Sequence, residues 1–134
     1  MSPGRIVIYL DSSVALAHLF GEGRFPPPLM WRERLVSSRL LQYELWNRVH
    51  ARALTHSYAG EARVLLAHIS LLDFGPEVLA RALEPFPVSV RSLDGLHLAT
   101  IEFLRARGED IELASYDRRL VAGAQALGIA IYPL

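Results

Sequence analysis

The chain alternates short apolar runs with longer stretches in which apolar residues recur every three or four positions. Apolar runs of about 4–8 residues between turn-forming residues are typical of buried strands, and the longer periodic stretches are typical of helices. The pattern predicts strands at 6–10, 36–38, 71–74, 111–116 and 129–132. It predicts helices at 13–20, 29–35, 39–54, 59–69, from 76 onward, 93–107 and 118–127.

Turn and capping residues indicate where these elements begin and end. Three consecutive prolines at 26–28 exclude a helix there and predict a loop. Ser37 or Ser38 is expected to cap the helix that runs to about Leu54, and Ser92 the helix that Gly108 ends. Strands that alternate with helices imply a parallel sheet covered on both faces. We therefore expect one α/β domain over residues 1–134.

Composition narrows the class of protein. With 134 residues, 51% of them hydrophobic, the chain can bury a core of its own. No apolar run approaches the ~20 residues of a membrane span, and the N-terminus leads into a strand and not a signal peptide, so we expect a cytoplasmic protein with no membrane partner. The absence of cysteine excludes thiolate ligands, so any metal must be held by oxygen or imidazole. Fourteen arginines, with no lysine, balance 14 acids and predict no overall attraction to nucleic acid.

Two carboxylates follow predicted strands. Asp11 comes directly after the strand at 6–10, and Asp117 after the strand at 111–116. Ligands of open parallel sheets gather outside the carboxyl ends of the strands. Either acid alone is explained by capping of the helix that follows. The presence of both acids at matching strand–helix junctions favours a shared site.

Two further carboxylates lie in leucine-rich helices. On its helix, Glu44 lies one turn after Leu40 and Leu41. It could take part in a shared site, or it could form an ordinary ion pair with Arg48 one turn later. Asp94 is in a first helical turn, where the helix dipole favours an anion, but its surroundings are apolar and a buried carboxylate needs a partner. His97 could share a metal with Asp94, or it could be a hydrogen-bonded core residue.

Convergence of the four acids would require a cation. Two like charges ~4 Å apart repel by about 1 kcal/mol in water and about 4 kcal/mol at a dielectric of 20. Mg²⁺ or Mn²⁺ suits an all-oxygen site. Such an ion can activate a water and offset the charge of a phosphodiester.

The segments around these acids resemble a known family. YLDSSVAL around Asp11, SSRLLQYEL around Glu44, RSLDGLHLAT around Asp94 and ASYDRRL around Asp117 have the order and spacing of PIN domains. More narrowly, residues 6–134 resemble the VapC-type toxins of bacterial toxin–antitoxin pairs. Gly95 stands where the family more often has alanine.

The resemblance implies a PIN-like three-layer αβα sandwich with a central, mainly parallel sheet. It implies an endoribonuclease that uses Mg²⁺ or Mn²⁺, hydrolyses RNA, is usually a homodimer and is inhibited by a cognate protein antitoxin. The four acids match the catalytic and metal-binding positions: Asp11 and Asp94 as main ligands, Glu44 as a ligand or a group that positions water, and Asp117 through a second metal or a water. Ser12 and Ser115 match small polar positions beside them.

Four arginines near the acids could form a rim that binds RNA phosphates: Arg48, Arg52, Arg118 and Arg119. The alternative is a solvated surface with ordinary ion pairs.

Competing functions remain open at this point. A phospho-acceptor receiver domain would use a lysine, which the chain lacks, and a haloacid-dehalogenase-like phosphatase would need an aspartate where Ser13 stands. A catalytically degenerate PIN-fold binding module is disfavoured by the four intact acids. A housekeeping PIN-domain RNA-processing nuclease shares the chemistry, but the short chain without an added RNA-binding module favours the toxin.

Overall fold

The structure, a computed structural model, describes residues 6–21, 23–52 and 55–134. Its strands are β1 (Val7–Leu10), β2 (Arg34–Ser38), β3 (Ser70–Leu72), β4 (Ile111–Ala114) and β5 (Ala130–Ile131). Its helices are α1 (Ser12–Phe20), α2 (Arg39–Ala51), α3 (Thr55–Ala67), α4 (Pro76–Ala82), α5 (Ser92–Ala106) and α6 (Arg118–Ala126). A 3-10 helix covers Pro28–Arg32. Within the described ranges, none of the helices has the length and apolar character needed to cross a membrane.

The five strands form one sheet in the order β3-β2-β1-β4-β5, and every neighbouring pair is parallel. The central strand β1 has its Val7 opposite Arg34 of β2 on one side and opposite Ile111 of β4 on the other. The chain moves outward from β1 in one direction through β2 and β3, and in the other through β4 and β5. The carboxyl ends of β1 and β4 therefore flank the point where the strand order reverses, which is where such sheets bind ligands.

Side chains of β1 alternate between the two faces of the sheet, as the pleat of a strand requires. Ile8 and Leu10 pack with apolar residues of α1, α2 and α3. Val7 and Tyr9 pack with residues of α5 and α6 on the opposite face. All four are fully or almost fully buried. These two cores make a three-layer αβα sandwich, and the predicted fold class is confirmed.

Several predicted boundaries differ from the structure. The predicted helix at 29–35 is wrong in its second half, because Arg34 already starts β2 and pairs with β1. The predicted helix at 59–69 begins earlier, at Thr55. Ser38 caps α2 by accepting from the Leu40 N–H at 3.2 Å, whereas Ser92 is the first residue of α5 and does not cap it. The predicted end of α2 at about Leu54 lies outside the described residues.

A close contact between α5 and α6 depends on a glycine. A Cβ atom at Gly123 would lie 2.9 Å from Leu98 Cδ1 and 3.2 Å from Val90 Cγ1, and Leu98 is completely buried. A Cβ at Gly60, which also lies in a helix, would have nothing within 4 Å. Packing therefore requires a glycine at position 123, whereas the space around position 60 would accept a larger side chain.

We expect Gly123→Ala to lower the free energy of unfolding by about 1–2 kcal/mol, because overpacking costs about 1–3 kcal/mol and the gain in helix propensity is at most about 1 kcal/mol. Gly60→Ala should raise it by up to about 1 kcal/mol. Chemical denaturation of the two variants beside the unmodified protein measures both changes. An equal stabilisation by the two substitutions would mean that the contact at 123 is loose.

Candidate functional site

Asp11 is held firmly at the carboxyl end of β1. Its Oδ2 accepts hydrogen bonds from Ser13 Oγ at 2.6 Å, from Ser115 Oγ at 2.8 Å and from the Ser13 N–H at 3.3 Å. The residue is also the N-cap of α1 and is only 5% exposed. Asp11 can therefore cap α1 and also take part in a binding site, because the cap uses Oδ2 and leaves Oδ1 available to a ligand.

Two serines join the ends of β1 and β4. Ser115 Oγ donates to Asp11 and accepts from the Asp117 N–H at 2.9 Å, while Ser13 Oγ accepts from the Tyr116 N–H at 2.9 Å. The predicted position of Ser115 beside the acids agrees with this arrangement. In the first turn of α1, however, the hydroxyl that donates to Asp11 belongs to Ser13; the predicted Ser12 lines the same cavity as Ser13.

Glu44 projects from α2 towards a buried histidine. His97 Nε2 donates to Glu44 Oε1 at 2.9 Å, and His97 Nδ1 is hydrogen-bonded to the Tyr9 hydroxyl at 2.7 Å. His97 is 1% exposed, so it is a hydrogen-bonded core residue, the second of its two predicted roles. Among the described residues, Glu44 forms its ion pair with this histidine and not with Arg48.

The environment of His97 favours its charged form. Burial lowers the pKa of the imidazole, but the Tyr9 oxygen, the hydrogen bond to Glu44 and the charge of Asp11 raise that pKa to about 10. The Asp11 carboxylate lies 3.9 Å from His97 Nε2. A charged imidazole at neutral pH places one positive charge behind two of the four acids, which reduces their mutual repulsion.

Asp94 and Asp117 share an arginine that the sequence analysis did not single out. Arg91 precedes α5; its Nε donates to Asp94 Oδ2 at 3.0 Å and its Nη2 to Asp117 Oδ2. Burial raises the pKa of Asp94, Arg91 opposes that rise, and the charges of Asp117 and Asp11 add to it. The signal for Arg91 was its spacing of three residues before Asp94, which places the two side chains together at a helix start.

The oxygens left without hydrogen bonds distinguish the four acids. In Asp11, Glu44 and Asp94, the hydrogen bonds from described residues all reach a single oxygen, which leaves the second oxygen available. In Asp117 both oxygens are used: Oδ2 by Arg91, and Oδ1 by the Arg119 and Leu120 N–H groups at 3.0 and 3.3 Å. The first three acids are therefore better suited to bind a further ligand.

All four acids line one cavity of about 370 Å³ at the carboxyl ends of β1 and β4. It is lined by Asp11, Ser12, Ser13, Leu16, Glu44, Arg48, Arg91, Ser92, Leu93, Asp94, His97 and Asp117. A larger cavity of about 680 Å³, lined by residues of α1 and α3 together with Trp31 and His68, contains none of these residues. Chemistry, and not size, therefore identifies the smaller cavity as the site.

Oxygen donors and negative charge make the cavity suited to a hard divalent cation. In the described ranges, however, no three aspartate, glutamate or histidine side chains are arranged to hold an ion. The contacts explain why: Arg91 binds Asp94 and Asp117, and His97 binds Glu44. The donor set fits such an ion once these side chains shift. Burial, and after it the charges of Asp117 and Asp11, raise the pKa of Asp94, and a bound cation would oppose both effects.

The four arginines predicted to bind phosphate do not form one rim. Arg48 lines the acidic cavity. Arg118 lines a cavity beside Tyr116, and Arg119 lines another beside Val88, which shares Arg91 with the acidic cavity. The Arg52 guanidinium lies 4.5 Å from the centroid of the Phe20 ring.

Comparisons with known proteins agree with this architecture. The family model described as PIN domain matches residues 8–125. Ribonuclease VapC46 from Mycobacterium tuberculosis (strain H37Rv) is 34% identical over 128 residues, which cover 92% of this chain and 95% of that protein. Ribonuclease VapC47 from the CDC 1551 / Oshkosh strain is 30% identical over 129 residues, covering 91% and 93%.

Two solved structures share the fold at low sequence identity. One is a toxin-antitoxin complex from Klebsiella pneumoniae, with a TM-score of 0.63, 13% identity, and coverage of 95% of this chain and 98% of that one. The other is PAE2754 from Pyrobaculum aerophilum, with a TM-score of 0.61, 21% identity, and coverage of 94% and 83%. With the family match over residues 8–125 and relatives of 30% identity or more over nearly the full chain, this protein belongs to the PIN domain family.

Proposed function

We propose that this protein is a metal-dependent endoribonuclease that hydrolyses RNA phosphodiester bonds, and that it is the toxin of a type II toxin–antitoxin pair. The observation that carries the proposal is the convergence of Asp11, Glu44, Asp94 and Asp117 on one cavity in a PIN-domain chain. The names of its relatives, Ribonuclease VapC46 and Ribonuclease VapC47, support the substrate class.

Asp11 and Asp94 are the proposed main ligands of a Mg²⁺ or Mn²⁺ ion. Both are buried and each has one oxygen without a hydrogen bond from a described residue. Glu44, oriented by His97, would bind the ion or hold the attacking water through its second oxygen. Asp117, whose oxygens both accept hydrogen bonds, fits a supporting role through water or a second ion. When bound, such an ion supplies a more acidic water and compensation for charge on the phosphodiester.

Other residues of the cavity orient the acidic side chains. Ser13 and Ser115 fix the orientation of Asp11, so little freedom is lost when its remaining oxygen engages a ligand. His97 fixes the orientation of Glu44 in the same way. Arg48, which lines the cavity, is placed to contact a phosphate entering it.

Partners follow from the proposed toxin role. We expect a cognate protein antitoxin, encoded by a small reading frame immediately upstream, and assembly of the toxin as a homodimer in the cytoplasm. Absence of such a reading frame would favour the alternative of a housekeeping RNA-processing nuclease. If the unmodified protein binds RNA but does not cleave it, the alternative of a degenerate PIN-fold binding module would be favoured.

We expect Asp11→Asn to lower metal-dependent RNA cleavage by more than about 100-fold, because removing a ligand should exceed the 10- to 100-fold effects typical of residues that only support ligands. The melting temperature without metal should change little, because asparagine keeps an acceptor oxygen for the two serines. Cleavage assays and thermal melting with a chelator measure the two effects. Asp73→Asn, at an exposed ion pair with Arg39, is the matched control. A large loss of stability in Asp11→Asn alone would make Asp11 chiefly structural.

Arg91 should compete with a metal ion for Asp94 and Asp117. We expect Arg91→Gln to bind Mn²⁺ several-fold more tightly, because it frees two carboxylates and leaves the cavity more negative. Calorimetric titration of the protein with Mn²⁺ measures this without RNA. Arg107→Gln, at the other end of α5 and paired with Glu77, should leave the affinity unchanged. Weaker binding in Arg91→Gln would show that Arg91 organises the site instead of competing with the ion.

A further inference from the structure

Two more concave surfaces extend in series from one side of the acidic cavity. The first, of about 360 Å³, shares Ser13 and Arg48 with the acidic cavity and adds Arg24 and Tyr116. The second, of about 440 Å³, shares Arg24 and Tyr116 with the first and adds Arg118. The three concave surfaces are therefore contiguous. We call the part beyond the acids, defined by Arg24, Arg48, Tyr116 and Arg118, the arginine groove.

The arginine groove concentrates positive charge in a chain whose net charge is zero. Arg24, Arg48 and Arg118 are exposed, and no aspartate or glutamate lines either of its two concave surfaces. In the part of the chain that the structure describes, none of these three guanidinium groups forms an ion pair with a carboxylate. Arg39 and Arg81, by contrast, are paired with Asp73 and Glu102. The groove thus offers cations that are available to an external anion.

An arginine–tyrosine pair forms the centre of the groove. The Arg24 guanidinium lies over the Tyr116 ring, 5.0 Å from its centroid. The Tyr116 N–H donates to Ser13 Oγ, which in turn donates to Asp11, so the tyrosine is connected directly to the acidic cavity. A layered arginine and tyrosine present flat surfaces on which an unstacked base can pack, and N–H groups at the edge that can bind phosphate.

We propose that the arginine groove binds single-stranded RNA on one side of the cleavage site, with phosphates on Arg48, Arg24 and Arg118 and a base packed at the Arg24–Tyr116 pair. The inference rests on the proposed nuclease function and adds a path for the strand. Unpaired cations that follow a groove together with an aromatic side chain are the combination that binds single strands without a required sequence. Arg52 and Arg119 are not part of this path.

An acidic segment of a partner protein is the competing occupant. The groove favours RNA because it continues directly from the acidic cavity, where the cleaved bond would lie, and because the Arg24 guanidinium, layered on the half-buried Tyr116 ring, offers a flat surface for a base. An acidic peptide would need only the cations. Exchange of Tyr116 therefore separates the two occupants.

The test measures binding of a single-stranded RNA of about 10 nucleotides to the Asp11→Asn protein over a range of salt concentrations. Adding Arg24→Gln or Arg118→Gln should weaken binding several-fold and lower the slope of log affinity against log salt by about 0.7 for each lost phosphate contact. Adding Arg107→Gln should change neither quantity, because Arg107 lies at the far end of α5. Melting temperatures establish that each variant is folded.

Substitutions of Tyr116 test the packed base. Tyr116→Ala should weaken RNA binding by about fivefold or more, while Tyr116→Phe should retain it, because stacking requires the ring and not the hydroxyl. If the Arg24, Arg118 and Tyr116 variants all bind RNA as the Arg107→Gln control does, the groove is not the path, and the nuclease proposal is untouched. If the Asp11→Asn protein binds no RNA at all, the groove and the proposed function are both wrong.

Discussion

Repulsion among four carboxylates is the constraint around which this molecule is organised. Asp11, Glu44, Asp94 and Asp117 come from four separate segments and line one cavity at the reversal point of a parallel sheet. Two like charges ~4 Å apart repel by about 1–4 kcal/mol, depending on the dielectric, which is large beside the stability of a small domain. The surrounding residues are best understood by how they reduce this cost.

Three sets of groups stabilise the four acids. Two serine hydroxyls donate to Asp11, a buried histidine donates to Glu44, and Arg91 bridges Asp94 and Asp117. These groups differ in how easily they can be displaced. Ser115 and His97 are buried and Ser13 is half-buried, whereas the Arg91 side chain is about half exposed at the cavity mouth. Under the proposed function, an incoming cation would therefore replace Arg91 and leave the contacts of Asp11 and Glu44 in place.

The charge distribution connects the cavity with its surroundings. The chain is neutral overall, so net charge gives no reason to expect affinity for nucleic acid. Locally, four acids line the cavity, and Arg24, Arg48 and Arg118, which form no ion pair among the described residues, line the groove beside it. A polyanion would be attracted along the groove and excluded from the acids unless a cation is present. Separation of charge over a short distance can thus couple substrate binding to metal binding.

The sequence by itself determined the order of the strands and helices, and it was enough to single out the four acids. Both features are recorded in short stretches of the chain. Alternating apolar runs specify a parallel α/β sheet, and acids directly after strands must lie at its carboxyl edge. It did not determine the boundary at Arg34, where hydrogen bonding to β1 overrides the local preference for helix. Only the tertiary structure decided which side chains form hydrogen bonds with the acids. His97 meets Glu44 across 53 positions and Ser115 meets Asp11 across 104, and such pairings depend on how whole layers pack, which no local pattern records.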